Sequence, residues 1–198
     1  MHPRPSPLAI LGIAALAAFT IFITWRAKSL EMKVLHHDEA GELVNKPAPD
    51  FQLTSLDGEH VSLADYHGKK KVVVSFWASW CGPCRLELPA LAKFYQRHRA
   101  DADHFEVLAI TSEEDPQDAR KFVTKAKLPF PILMDSTNAV AEKYGASVIP
   151  IMFVIDENGK VIYGHSGFDQ AMDLQLVQKL GIKPVSMMEG AKIDDSSH

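Results

Sequence analysis

Hydrophobic and polar positions along this chain change period several times, and each change marks an element. From Leu8 to Trp25 there are 18 residues without a charge, interrupted only by Gly12, Thr20 and Thr24. Residues 51–54 and 60–63 alternate apolar with polar around Asp57-Gly58, the pattern of a β-hairpin. Residues 72–78 are apolar on both faces, as a central parallel strand requires. In residues 82–99, Leu86, Leu88, Leu91, Ala92 and Tyr95 recur at helical spacing, with a kink expected at Pro89. Strands are predicted over 105–111 and 132–134. Helices are predicted over 116–127, with Pro116 in the first turn, and over 139–144, stopping at Gly145. Residues 152–155 and 161–163 flank the turn Asp156-Glu157-Asn158-Gly159, and 169–180 reads as a last helix. Strands alternating with helices, then a terminal hairpin and helix, imply an α/β fold: a mixed central sheet with helices on both faces.

The whole chain has 198 residues and 46% hydrophobic content, enough for one good core plus appendages. It divides into an N-terminus (1–7), an apolar anchor (8–25), a polar linker (26–46), a folded domain (47–182) and a mobile tail (183–198). The net charge of −4 is too mild for a nucleic-acid-binding protein. As a helix, residues 8–25 would be about 27 Å long, close to the thickness of a hydrocarbon core. Trp25 suits the interface, and Arg26 and Lys28 end the span. A signal peptide would be cut near Ala15-Leu16-Ala17, but the apolar run continues to Ile23, so an uncleaved single-pass transmembrane helix is expected, holding the protein in the lipid bilayer. If flexible, the linker reaches roughly 25 Å. By charge alone, Arg26, Lys28 and Lys33 against Arg4 would place the C-terminal domain in the cytoplasm.

The chemistry concentrates at Phe76-Trp77-Ala78-Ser79-Trp80-Cys81-Gly82-Pro83-Cys84, which holds both cysteines of the chain. The order is strand, Cys-x-x-Cys, helix. Cys81 then sits at a helix N-terminus, where unsatisfied backbone N–H groups and the helix dipole favour thiolate over thiol. Cys84 lies one turn on, within reach of a disulfide. A dithiol that cycles follows: Cys81 attacks a substrate disulfide and Cys84 resolves the mixed disulfide. A closed zinc site needs four ligands, and neither a second cysteine pair nor a histidine pair at the required spacing exists, so no metal is expected. No cofactor is expected either.

The longer run F-W-A-S-W-C-G-P-C-R-L-E-L-P resembles the membrane-anchored TlpA/ResA branch of the thioredoxin superfamily, and the resemblance extends over about residues 47–182. It implies a thioredoxin-like fold with an N-terminal β-hairpin extension opening at Pro47-Ala48-Pro49-Asp50-Phe51, a start shared with peroxiredoxins. It implies that Pro150 is cis and packs opposite the cysteines, with Ile149 before it, so that Trp80, Gly82, Pro83, Ile149 and Pro150 would meet substrate. The family often has threonine after this proline; Ile151 here is expected to make the substrate-facing rim more apolar.

Thioredoxin carries a buried aspartate on the strand before its cysteines. The aligned position here is Ser75, whereas Glu87 stands three residues after Cys84, as in ResA-like proteins. Spacing puts Glu87 one turn along from Cys84, so a carboxylate there would take the Cys84 proton. A glutamate merely solvated on the helix is the alternative. The resemblance further implies a catalytic domain outside the cytoplasmic membrane of a bacterium, against the charge count. The expected activity is reduction of disulfides in exported client proteins, apocytochrome c or copper-site thiols among them, with electrons from a membrane thiol-disulfide donor. The alternatives are a Cu(I) metallochaperone using the two thiolates with Met187 and Met188, and an oxidase or isomerase using the same cysteines. A peroxidase is disfavoured because the proline-threonine-cysteine motif of peroxiredoxins is missing.

Overall fold

The structure is a computed structural model that describes residues 16–24, 26, 39–98, 100 and 104–184. The chain falls into two units, Met1–His37 and Asp38–His198. In the first, residues 16–24 are helical, with Leu16, Phe19, Ile21, Phe22 and Ile23 exposed. The first half of the expected anchor, residues 8–15, and Trp25 lie outside the described residues, as do residues 185–198 of the expected tail. Among the described residues no helix is long and apolar enough to cross a membrane.

The second unit is built on a seven-stranded mixed sheet. Its strands are β1 (Gln52–Ser55), β2 (His60–Ser62), β3 (Lys71–Trp77), β4 (Phe105–Thr111), β5 (Ile132–Met134), β6 (Ile151–Ile155) and β7 (Val161–Ser166), in the order β2-β1-β5-β4-β3-β6-β7. The pairs β3–β4 and β4–β5 are parallel, and β6, β7, β1 and β2 join antiparallel. The helices are α1 (Cys84–Arg97), α2 (Pro116–Ala126), α3 (Ala139–Lys143) and α4 (Met172–Leu180). α1 runs unbroken through Pro89. The Asp115 side chain caps α2 by accepting from the Gln117 N–H, and Pro116 occupies its first turn, where a missing N–H costs nothing. These elements follow the sequence pattern, except that Leu86, expected in the apolar stripe of α1, is exposed and Phe94 is buried on that helix instead; the N-terminal hairpin β1–β2 joins the sheet edge through β5.

β3 sets the layers. Val73 and Trp77 point into a core shared with Leu88, Leu91 and Phe94 of α1, Ala119 of α2 and Leu176 of α4. Val72, Val74 and Phe76 point into the opposite core, with Phe51, Phe153 and Tyr144, which follows α3. Strand periodicity of two makes this division, since successive side chains leave opposite faces.

The stretch read from sequence as a linker ends in ordered structure. Glu39–Leu43 forms a 3-10 turn, and Ala40 is fully buried beside β7. A Cβ at Gly164 of β7 would collide with the Ala40 carbonyl. The Asn45 N–H donates to the Val161 carbonyl at 2.8 Å, and the Val161 N–H donates to that of Lys46 at 3.0 Å. No apolar periodicity announces this docking; a glycine on the receiving strand permits it.

Candidate active site

Seven residues of β3, all paired with β4 and five of them, Val72 to Phe76, paired with β6 as well, carry the chain to a fixed end at Trp77. Ala78, Ser79 and Trp80 turn it, the Cys81 N–H donating to the Ala78 carbonyl at 3.2 Å, and α1 starts at Cys84. Cys81 and Cys84 are joined in a disulfide with their Cα atoms 5.3 Å apart. The Cys84 backbone N–H donates to Cys81 Sγ at 3.3 Å. That is the unsatisfied N–H of a helix first turn aimed at the sulfur, and it would favour a Cys81 thiolate once the disulfide opens.

The two sulfurs differ in access. Cys84 has no exposed surface, whereas Cys81 keeps 5% and lies between exposed Trp80, Gly82 and Pro83. Trp80 is 75% exposed. Across from it the Ile149–Pro150 peptide is cis, Pro150 is buried, and the Ile149 carbonyl oxygen stands 3.7 Å from Cys81 Sγ. In the disulfide that sulfur has no proton to donate, so the approach is a packing contact. Trp80, Gly82 and Pro83 therefore adjoin Cys81 along the chain, and Ile149, next to Pro150, faces its sulfur from the opposite loop. Ile151 does not reach that sulfur. It is fully buried in the core on the other face of the sheet, because it pairs with Phe76 and shares that residue's side. The apolar rim comes instead from exposed Val148 and half-buried Ile149.

Glu87 is not a solvated helix residue. It is 2% exposed, on the face of α1 turned to the sheet, and the Ser75 hydroxyl donates to its Oε1 at 2.8 Å. Burial pushes its carboxyl up to about 7, and the Ser75 hydrogen bond opposes the rise. A carboxyl with that value exchanges protons near neutral pH, which an ordinary glutamate does not.

Sequence reasoning missed Glu113. It lies just past the C-terminal end of β4, is buried, and its Oε1 accepts from the Ser79 N–H at 3.1 Å and from the Ser79 hydroxyl. It thereby pins the loop that presents Trp80 and Cys81. Together with Trp77, Trp80, Ile110, Asn138 and Ile149 it lines a cavity of about 250 Å³. The polar pair Ser112-Glu113 directly after a central parallel strand is the signal that could have found it, since ligands gather at the carboxyl ends of such strands. Among the described residues no three histidine, cysteine or acidic side chains gather as a metal site.

The AhpC/TSA family model matches residues 44–164, more than half of the chain, and its span takes in the hairpin, the cysteines and the cis proline. The chain belongs to the AhpC/TSA family. Its relatives in that thioredoxin-like family include proteins named thiol-disulfide oxidoreductase. It is 29% identical over 155 residues to the thiol-disulfide oxidoreductase ResA of Bacillus cereus, covering 78% of this chain and 82% of the relative. It is 37% identical over 145 residues to the thioredoxin-like protein YneN of Bacillus subtilis, covering 69% and 82%. A crystal structure assigned as the thiol:disulfide interchange protein DsbE of Chlorobium tepidum superposes with a TM-score of 0.63 at 35% identity, over 69% of this chain and 94% of that one. This AhpC/TSA member is a TlpA/ResA-like thiol-disulfide oxidoreductase with a thioredoxin-like fold, acting on disulfide-containing substrates.

Proposed function

We propose that this protein reduces disulfides in exported client proteins while tethered outside the cytoplasmic membrane. One observation carries the direction of proton flow: a carboxylate buried one helical turn from the buried cysteine, with a proton affinity near neutrality. Cys81, as thiolate, attacks the client disulfide, and one client sulfur leaves. Cys84 then attacks Cys81 Sγ, its proton passes to Glu87, and the second client sulfur leaves as thiolate. Trp80, Gly82, Pro83, Ile149 and Pro150 form the surface against which the client segment lies. Gly82-Pro83, the pair found in thioredoxin, supports the reducing direction.

The clients that fit are apocytochrome c, whose Cys-x-x-Cys-His must be reduced before haem attachment, and thiols of copper sites. A membrane thiol-disulfide carrier would return the electrons. The apolar stretch 8–25, helical where it is described and exposing Leu16, Phe19, Ile21, Phe22 and Ile23, supports a bilayer anchor.

The test is the reduction potential of Cys81–Cys84 in the full-length chain, equilibrated against dithiothreitol and glutathione couples. A value near or below about −270 mV means the protein donates electrons. A value nearer about −120 mV means its reduced form is the stable one, and the reductase reading is replaced by an oxidase or isomerase.

A further inference from the structure

The β3 position that carries a carboxylate in thioredoxin and the helix glutamate of this chain are, in three dimensions, one site. Register places Ser75 in a cross-strand row with Ala109 of β4, Met152 of β6 and, beyond Met152, His165 of β7. Residues directly opposite one another in neighbouring strands share a face, so this row looks toward α1. Glu87 lies over it, buried, and among the described residues the Ser75 hydroxyl is the single hydrogen-bond donor to its carboxylate. A buried carboxylate without a donor would stand almost entirely protonated at neutral pH.

We propose that Ser75 is the positioning residue that keeps Glu87 ionised and turned to receive the Cys84 proton. This rests on the reading of Glu87 as that acceptor. Cys84 Sγ bonds to Cys81 Sγ, and the bond from Cys81 Sγ to the client sulfur breaks. The client sulfur keeps the electron pair and leaves as thiolate. The Cys84 proton ends on Glu87, whose carboxylate becomes a carboxylic acid. Cys81 and Cys84 are oxidised and the client is reduced. Ser75 exchanges no proton; its hydroxyl hydrogen stays on oxygen and points at Oε1.

The surroundings leave Ser75 as the local control. Cys84 is the titratable group on the same helix face. Ala109 and Met152 are uncharged, as are Met172 and Leu176 of α4 in the same core. His165 stands two strands from Ser75, roughly 10 Å across the sheet. In the disulfide form, burial raises the proton affinity of Glu87 and the Ser75 hydrogen bond opposes that rise.

The experiment uses the reduced full-length chain with dithiobis(nitrobenzoate). The first thionitrobenzoate released reports attack by Cys81, and the second reports resolution by Cys84. The second phase is followed from pH 5 to 9 in the parent chain, Glu87→Gln, Ser75→Ala and Ser75→Thr. Expected is an upward shift of about one pH unit in the midpoint of the second phase for Ser75→Ala, the loss of one hydrogen bond to a charged group. Resolution then slows several-fold at pH 6–7 and recovers above pH 8, while Ser75→Thr restores the parent profile. A merely structural Ser75 would lower rates at every pH without moving the midpoint, and that result overturns the proposal. So does a Ser75→Ala profile that superposes on the parent while Glu87→Gln flattens it. A Glu87→Gln profile unchanged from the parent instead removes the reading of Glu87 itself. If Ser75→Ala does not fold, Ser75→Thr against Ser75→Val makes the same comparison, since that pair differs in volume by almost nothing and in the hydroxyl entirely.

Discussion

The two faces of the sheet are packed by different rules. On one side Phe51, Phe76, Tyr144 and Phe153 form a ring cluster with centroids 5.2–6.3 Å apart, and its tyrosine hydroxyl reaches out to the Pro49 carbonyl at 2.8 Å. Burial pushes that hydroxyl far above its ordinary proton affinity, so it stays a neutral donor at any working pH. On the other side the core is equally closed, yet it holds Ser75, Glu87, both cysteines and the indole N–H of Trp77, which has no hydrogen-bond partner among the described residues. One face is a store of apolar contact; the other gives up some of that contact to keep a proton acceptor dry. Low dielectric is the shared medium, and it strengthens whatever polar interaction is placed in it. Stability and chemistry are therefore separable here, and mutations should separate them.

The largest expected effect comes from the aromatic face. Phe153→Ala should cost about 3–5 kcal/mol in denaturant unfolding, because a fully buried ring is removed from a close-packed cluster. The pH dependence of thiol resolution in the surviving folded protein should not move. If it does, the two faces are coupled and the separation is wrong.

Next is the proton acceptor. Glu87 binds its proton more tightly folded, at about 7, than unfolded at its ordinary value of 4.5. The folded state thus holds more protons between those values, so stability falls as pH rises from about 4.5 to 7 and is level above. The decline is on the order of 3 kcal/mol. Glu87→Gln should flatten it, read as unfolding midpoints at pH 5 and pH 8. An unchanged slope would mean that Glu87 is ionised at its ordinary value and that the dry site does not control it.

The smallest is Tyr144→Phe, which deletes one hydrogen bond at the end of the aromatic cluster. The expected loss is about 1 kcal/mol, with the ring contacts kept. A loss several times larger would show that the hydroxyl anchors the segment before β1 as well as the ring.

Much of this was readable in the chain. The apolar runs of β3, β4 and β6 and most of the amphipathic stripe of α1, Leu86 excepted, needed no partner to be recognised, because strand and helix periods are local properties of the backbone. The cysteine pair and its helix were legible for the same reason: four consecutive residues carry the geometry. Glu87 was legible as a helix position three residues from Cys84. That it is buried was not, since burial depends on which face of α1 meets the sheet. Ser75 looked like an absence, a place where a carboxylate was missing, until β3 and α1 were packed together. Glu113 went unnoticed because its partner Ser79 is 34 residues away, and a loop acid has no period to betray it. Ile151 was misplaced on the rim because its neighbour Pro150 is there; the strand's alternation sends it into the opposite core. The docking of Ala40 on Gly164 joins residues too far apart for any local pattern.

By itself, then, the amino-acid sequence determined the elements, their order and the identity of the redox pair, all of which rest on contacts within one or two turns of chain. Tertiary structure alone decided which polar side chains lose water. Desolvation is set by everything that closes around a group, and at Glu87 that is a helix, three strands and one serine hydroxyl.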